Sequence, residues 1–495
     1  MPVVQYADLS KKTEISHFLS NCRQQATQTG KAKIASLTFP ITHISPSKAL
    51  SVLDRLNQRH FYYDRPNQGS LLGVGAAIDF CSAGPDRFEQ ADAFVSLWRS
   101  RVISRSFQDF SSEDSAPTFN QTVNQSSSQT EGISFPHKVH FFCSSTFFDK
   151  TETAFEPVYV FIPQVQIWSH REAAATFNYL VAADTDLEQI KLEILQRLTQ
   201  LKSARSSNIK ISASQRQVIR DVSGFALTVS AVLEQISDDK PQSNSSNKSL
   251  HKVVIADVMD VVADVPFDCG RSLQALRQNH PDCTIFSIGN GLGQSFIGAS
   301  PERLLSIREN QITTDALAGS APRGTTPNLD RQLGQTLLNS EKERYEHRVV
   351  VEFLLAQLRS LGLKPQYAAA PQLMRLFHIQ HLHTPISADF ACHLISPLEV
   401  LSRLHPTPAV AGTPRQQACQ LIQQYETFDR GLYAAPLGWI DTDGNSEFIV
   451  GIRSALIDGR KARLYAGAGI VSGSQPDKEL AEIKLKLQSL LNALH

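Results

Sequence analysis

The sequence predicts an α+β protein, and three observations carry that prediction. Strand-like and helical segments are interspersed with turn signals, without the strict strand–helix alternation of a parallel sheet. The stretches Gly289-Asn290-Gly291-Leu292-Gly293 and Gly467-Ala468-Gly469 fall short of a dinucleotide fingerprint, and no G-x-x-x-x-G-K-[ST] occurs. Hydrophobic residues fill 41% of 495 positions, ample for a large core. Length alone suggests two to four domains.

Residues 34–39 and 71–78 are apolar runs of strand length, set among helical stretches in the first hundred residues. From 107 to 132 the chain is mostly Ser, Gln, Asn, Thr and Glu, which reads as a polar surface insertion. Strand character resumes at 139–142 and 158–162, and helical periodicity marks 187–201 and 214–236. A second polar tract spans 237–249, and beyond it the chain is compact and punctuated by glycine. The expected organisation is a variable half over 1–235, a polar linker over 236–250 and a chemically loaded region over 251–495. No internal repeat of fixed period is found.

Composition removes several functional classes. Lys plus Arg total 48 and Asp plus Glu total 48, so the formal charge is zero. A general nucleic-acid or anionic-membrane binder would carry a basic excess. No apolar run reaches the ~20 residues of a membrane span. The first thirty residues include Asp8, Lys11, Lys12 and Glu14 without an apolar core, so they are not a secretory signal. Seven cysteines, odd in number and never in a C-x-x-C pair, fit free thiols in a reducing compartment. A cytoplasmic protein is expected.

Four motifs carry chemistry. Lys252 opens the β-branched strand Lys252-Val253-Val254-Ile255; desolvation can drive such a lysine to a neutral amine, a general base. Pro301 forces a turn after the apolar run Phe296-Ile297-Gly298-Ala299 and presents Glu302, a carboxylic acid placed to donate a proton. Ser340 and Glu343 form a capping-box pattern that starts a helix. Along it Glu346 points with Val350 toward the core, whereas Lys342, Arg344 and Arg348 can reach water; a buried-face carboxylate needs a partner, and a metal suits it. Last, Arg453 and the glycines of Tyr465-Ala466-Gly467-Ala468-Gly469 precede a helix with Pro476 in its first turn and Ser474 as its cap. Glu479, Glu482 and Lys486, at i, i+3 and i+7, share one face of that helix. An arginine, close backbone amides, two carboxylates and a lysine suit a carboxylate-bearing substrate held with a hard metal ion. Each motif also has a plain reading: a solvated helix face, a strand-end lysine in water, or a turn glutamate paired with Arg303.

With these, Leu317-Ala318-Gly319-Ser320-Ala321-Pro322-Arg323-Gly324, His405-Pro406-Thr407-Pro408-Ala409-Val410-Ala411-Gly412 and Phe428-Asp429-Arg430-Gly431-Leu432-Tyr433 complete a pattern. From residue 252 to residue 491 the chain resembles the chorismate-utilising enzymes, and within them the isochorismate synthases of quinone and siderophore pathways. The motifs stand in that family's order and spacing; residues 1–235 resemble its variable half only loosely. The resemblance implies large antiparallel sheets stacked around a deep active site, with helices outside. It implies Mg²⁺-dependent conversion of chorismate to isochorismate, by water addition at C2 and loss of the C4 hydroxyl.

Residue by residue, the resemblance makes Lys252 the water-activating base and Glu302 the acid at the C4 hydroxyl. Glu346 and Glu482 match magnesium ligands, with Glu479 beside the metal. Arg453, Gly467, Lys486 and Tyr433 match contacts to the substrate, and Gly319, Ser320 and His381 lie near its ring. Ammonia-using relatives lack the lysine, and aminodeoxychorismate synthases carry P-I-K-G-T where Ala318 precedes Gly319 here. Water is therefore the expected nucleophile, no glutamine amidotransferase subunit is expected, and a monomer is expected. The runner-up is salicylate synthase, which adds pyruvate elimination; a catalytically inactive regulatory homologue is a third reading, opposed by the intact set. Asp257 departs from the pattern, standing where family members often have an arginine.

Overall fold

The computed structural model describes residues 3–41, 48–50, 58–66, 68–107, 138–170, 172–203, 215–236, 250–377, 379–390 and 395–495. Most of the polar tract 107–132 and the tract 237–249 lie outside them. The described strands form one extensive ladder, antiparallel throughout except where Lys33–Pro40 runs parallel to Val102–Ser106. Helices cover this sheet, so the fold is α+β. Three pairings among the described strands knit the first half of the chain to the second: Arg59–Arg65 with Thr284–Asn290, His140–Ser145 with Pro436–Asp441, and Arg216–Arg220 with Lys252–Ala263. No helix among the described residues is long and apolar enough to cross a membrane.

Local sequence explains most elements. The run Val253-Val254-Ile255 lies in a strand, Lys252–Ala263, whose first five residues are all buried. This lysine strand pairs antiparallel with Lys461–Val471, setting Val254 opposite Gly469 and Ala256 opposite Gly467. The helix expected over 214–236 is instead a short edge strand, Arg216–Arg220, and a helix, Phe225–Leu233. Its apolar spacing is compatible with both until Ser223-Gly224 breaks the run.

The lysine strand has a gap along its other edge. Residues 252–253 pair with Gly412–Thr413 and residues 260–263 with Arg216–Arg220, but no strand among the described residues covers the stretch between. Side chains close the gap. Arg430 donates to the carbonyls of Val254 and Val410, both at 2.8 Å, and Glu426 Oε1 accepts from the amide of Ala256 at 2.8 Å. Glu426 and Arg430 bond each other at 2.6 Å, almost wholly buried, and the guanidinium lies 4.3 Å from the Phe147 ring centroid. Buried backbone groups need partners, and here an ion pair takes the place of a strand.

Two helices frame the site. The charged helix Glu341–Ser360 buries His347, Val350, Leu354, Leu355 and Leu358 against the strands Gln311–Pro322 and Ile379–Asp389. Its cap is half of the expected box: Ser340 Oγ accepts from the Glu343 amide at 3.4 Å, but the Glu343 side chain turns away to the Ser320 amide at 3.2 Å. The C-terminal helix Pro476–Leu491 buries Glu479, Ile483, Leu487 and Leu490, and its cap is Gln475, not Ser474. Ser474 Oγ instead accepts from the Val471 amide at 3.2 Å, closing the turn between strand and helix.

Candidate active site

The two helices and four strands enclose a cleft of about 840 Å³, its open mouth included. Ten of the twelve residues singled out from sequence line it, all but Lys252 and Glu479. Lys252 lies just behind the wall with its side chain 1% exposed, and its ammonium stands 2.8 Å from Glu346 Oε1. That is an ion pair at contact distance, yet Nζ has no partner in hydrogen-bond alignment. The approach is possible only because residue 469 is glycine. A Cβ there would meet Glu346 Oε1 at 2.6 Å and Lys252 Cε at 3.2 Å.

Glu302 sits in the turn between Gln294–Ser300 and Arg303–Arg308, buried and facing the cleft. Arg303 does not pair with it. The guanidinium turns to Asp315, which accepts from Arg303 Nε at 2.9 Å and bonds His383 Nε2 at 2.9 Å. Burial raises the Glu302 carboxyl to about 8, against the nearby positive charge of Lys252 and with the negative charge of Asp315 adding to the rise. At neutral pH Glu302 therefore keeps its proton, as a general acid must.

Gly319, at φ +77°, forms a bulge in Gln311–Pro322 that sets Ser320 opposite His381 across the strands. Ser320 Oγ lies 2.9 Å from His381 Nδ1, and an Arg453 NH2 group lies 3.2 Å from His381 Nε2. Arginine can only donate, so Nε2 carries the lone pair and Nδ1 the hydrogen. Burial, reinforced by Arg453 and Lys486, pushes His381 down to about 3, so the ring is neutral. Arg453 itself holds φ +50°, a left-handed conformation uncommon for a non-glycine residue, and such strain gathers at ligand sites. The Tyr433 ring stacks on Tyr465 at 5.2 Å, and burial raises its hydroxyl well above the ordinary range. Lys486 Nζ donates to the Gly467 carbonyl at 2.9 Å and pairs with Glu482 at 2.7 Å.

Four carboxylates face one another across the helices: Glu343 and Glu346 on one, Glu479 and Glu482 on the other. Glu343 feels both Glu346 and Glu482, and Glu479 feels Glu482. Burial first, then these neighbours, raise Glu343 and Glu479. Burial pushes Glu482 up too, but Lys486, Lys342 and Lys252 together hold it below the usual range. Lys342, expected to reach water, turns inward to Glu479 at 3.2 Å. As the side chains stand, no three His, Cys, Asp or Glu groups among the described residues converge on one metal position. The donor chemistry nevertheless fits a hard dication, because all four groups offer oxygen and repel one another without a cation.

Sequence reading missed Glu343 as a member of this cluster, along with the Asp315–Arg303–His383 set. For Glu343 a signal existed, since it lies three residues before Glu346 on the same helical face. For Asp315 the signal was a lone acid directly before the apolar run Ala316-Leu317-Ala318. Asp257, the departure from pattern, meets Arg220 of the neighbouring edge strand at 3.1 Å.

A family model described as chorismate binding enzyme matches residues 17–119 and 107–495. A salicylate biosynthesis isochorismate synthase from Pseudomonas aeruginosa is 45% identical over 222 residues, 45% of this chain and 46% of that protein. The isochorismate synthase MenF of Bacillus subtilis is 38% identical over 252 residues, 51% of this chain and 53% of that protein. The matches thus span about half the length of these relatives. The solved structure of the menaquinone-specific isochorismate synthase MenF from Escherichia coli superposes with a TM-score of 0.71 at 24% identity. It covers 96% of this chain and 99% of its own, which shows a shared fold.

Proposed function

Because this chain belongs to the chorismate binding enzyme family, we propose that it is an isochorismate synthase, converting chorismate to isochorismate with Mg²⁺. The observation that carries this reading is a buried Glu302, its carboxyl raised by burial, facing the same cleft behind which the Lys252 amine lies 2.8 Å from Glu346. An acid and a base on one substrate are what exchange of a hydroxyl by water requires.

In this mechanism Arg453 and Lys486 hold substrate carboxylates, and the Gly319–Ser320 bulge with neutral His381 shapes the pocket for the ring. Lys252 acts in its neutral amine form, after giving up the proton of its ion pair with Glu346, and takes a proton from water as the water oxygen bonds to C2. The ring double bond shifts, the C4–O bond breaks, and Glu302 gives its proton to the departing hydroxyl, which leaves as water. One water enters and one departs, and the proton gained by Lys252 passes back to Glu302 through solvent before the next turnover. Glu346 and Glu482 would hold the magnesium ion, with Glu479 beside it. When bound, the ion supplies a hard Lewis acid that grips a substrate carboxylate. Water as nucleophile needs no amidotransferase subunit, and the chain acts as a monomer on this reading.

The test is to incubate the pure protein with chorismate and Mg²⁺ and to identify products by chromatography. A reversible chorismate–isochorismate mixture supports the proposal. Stoichiometric salicylate and pyruvate, anthranilate formed from ammonia, or no reaction would each overturn it.

A further inference from the structure

Resting on the magnesium reading above, we infer that Lys342 is a built-in competitor of the divalent cation, occupying its carboxylates until the ion displaces it. Lys342 Nζ lies 3.2 Å from Glu479 Oε1 and 3.7 Å from Glu343 Oε1, and its charge also reaches Glu346 and Glu482. It is thus one cation shared by four carboxylates drawn from two helices. That is the electrostatic service a divalent ion would render there.

Three lysines balance the four glutamates, and they are not equivalent. Lys252 is sealed behind the wall with its side chain 1% exposed, and its unaligned ammonium points at Glu346. Lys486, at 26%, is anchored to the Gly467 carbonyl as well as to Glu482. Lys342 is the most exposed at 37% and stands in the first turn of its helix, with a route to solvent. Only Lys342 can leave without vacating a buried position or a second anchor. Its departure frees Glu479, the carboxylate it holds most closely, while Glu343 keeps the Ser320 amide. This accounts for a cluster rich in oxygen donors that does not converge on a single position as it stands.

Loading the ion is therefore an exchange of cations. The protein gives up one Lys342 contact set for each ion it takes, and its affinity for free Mg²⁺ is lowered accordingly. Removing the competitor should tighten binding even when no substrate is present, whereas loss of an ordinary structural lysine would not.

The experiment is calorimetric titration of Mg²⁺ into the full-length, metal-free protein without substrate, for wild type, Lys342→Met and Lys342→Arg. Lys342→Met should bind Mg²⁺ roughly fivefold or more tightly, the scale of a half-exposed ion pair lost. Lys342→Arg, which keeps the charge, should stay near wild type. The upward shift of the melting temperature on adding Mg²⁺ should likewise be larger for Lys342→Met. Lys342→Gln replaces the methionine variant should that one aggregate. Equal or weaker affinity in the neutral variants, with wild type binding normally, overturns the inference. Absence of Mg²⁺ binding in every protein overturns the metal reading on which it rests.

Discussion

Gly469 gives Glu346 the space it occupies: a methyl group on residue 469 would lie 2.6 Å from the Glu346 carboxylate oxygen. The glycine sits mid-strand, opposite Val254, where backbone freedom is not at issue. What matters there is the missing side chain.

Gly469→Ala should therefore fold and lose activity. The methyl must push Glu346 or the Lys252 stem aside by several tenths of an ångström. A misplacement of about 1 Å at a reacting centre costs about a hundredfold in rate, so this smaller one should cost roughly tenfold or more. Steady-state kinetics beside circular dichroism checks this, and a native-like spectrum with kcat/KM within a few-fold of wild type would contradict it.

Glu302 should set the alkaline limb of the rate profile. Its carboxyl titrates at about 8 in the folded protein against an ordinary 4.5. The acid is thus available below that value, and kcat should fall as pH rises through about 8. Glu302→Gln should lower kcat by about a hundredfold or more while chorismate still binds, which calorimetry would show.

The same shift governs stability, with a definite sign. Between pH 4.5 and about 8 the folded chain keeps a proton at Glu302 that the unfolded chain releases, so stability falls as pH rises through this window. Glu302→Gln is free of that loss. It should gain on wild type steadily from pH 5 to pH 8, by up to a few kcal/mol. Urea melts at three pH values decide the matter, and a constant difference between the two proteins would refute it.

Glu346→Gln should destabilise the fold as well as stop turnover, because it leaves the Lys252 ammonium buried without a counter-charge. Breaking a buried pair on one side costs about 3 kcal/mol. Lys252→Met combined with Glu346→Gln should recover most of that loss and remain inactive. Denaturant midpoints for the two singles and the double form the required cycle.

Arg453→Lys should raise KM about tenfold and change kcat less. A lysine cannot hold His381 Nε2 and a substrate carboxylate with one planar fork. An unchanged KM would remove Arg453 from substrate binding.

The elements legible in the sequence are those whose signal is local. A β-branched run marks the strand of Lys252, Pro301 marks the turn of Glu302, and i, i+3, i+7 spacing puts Glu479, Glu482 and Lys486 on one helix face. Where a side chain's partner lies far along the chain, pattern fails. Lys342 reads as solvated because Glu479 is 137 residues away, and Glu343 reads as a cap because its acceptor role is played to Ser320 on another strand. Ser474 likewise has cap chemistry, but tertiary packing directs its hydroxyl to Val471. The segment 214–236 misleads for a different reason, since an edge strand and a short helix share its apolar spacing.

The gap beside the lysine strand has a further consequence for how this wall can change over generations. A ladder of backbone bonds is indifferent to the residues it joins, so a strand there could drift in sequence while keeping its shape. Glu426 and Arg430 have no such tolerance. A single substitution at either leaves one charge stranded in the interior together with a loose amide or carbonyl. A change at one position is therefore tolerated only when the other changes with it, so this edge is held by the pair and by neither residue alone.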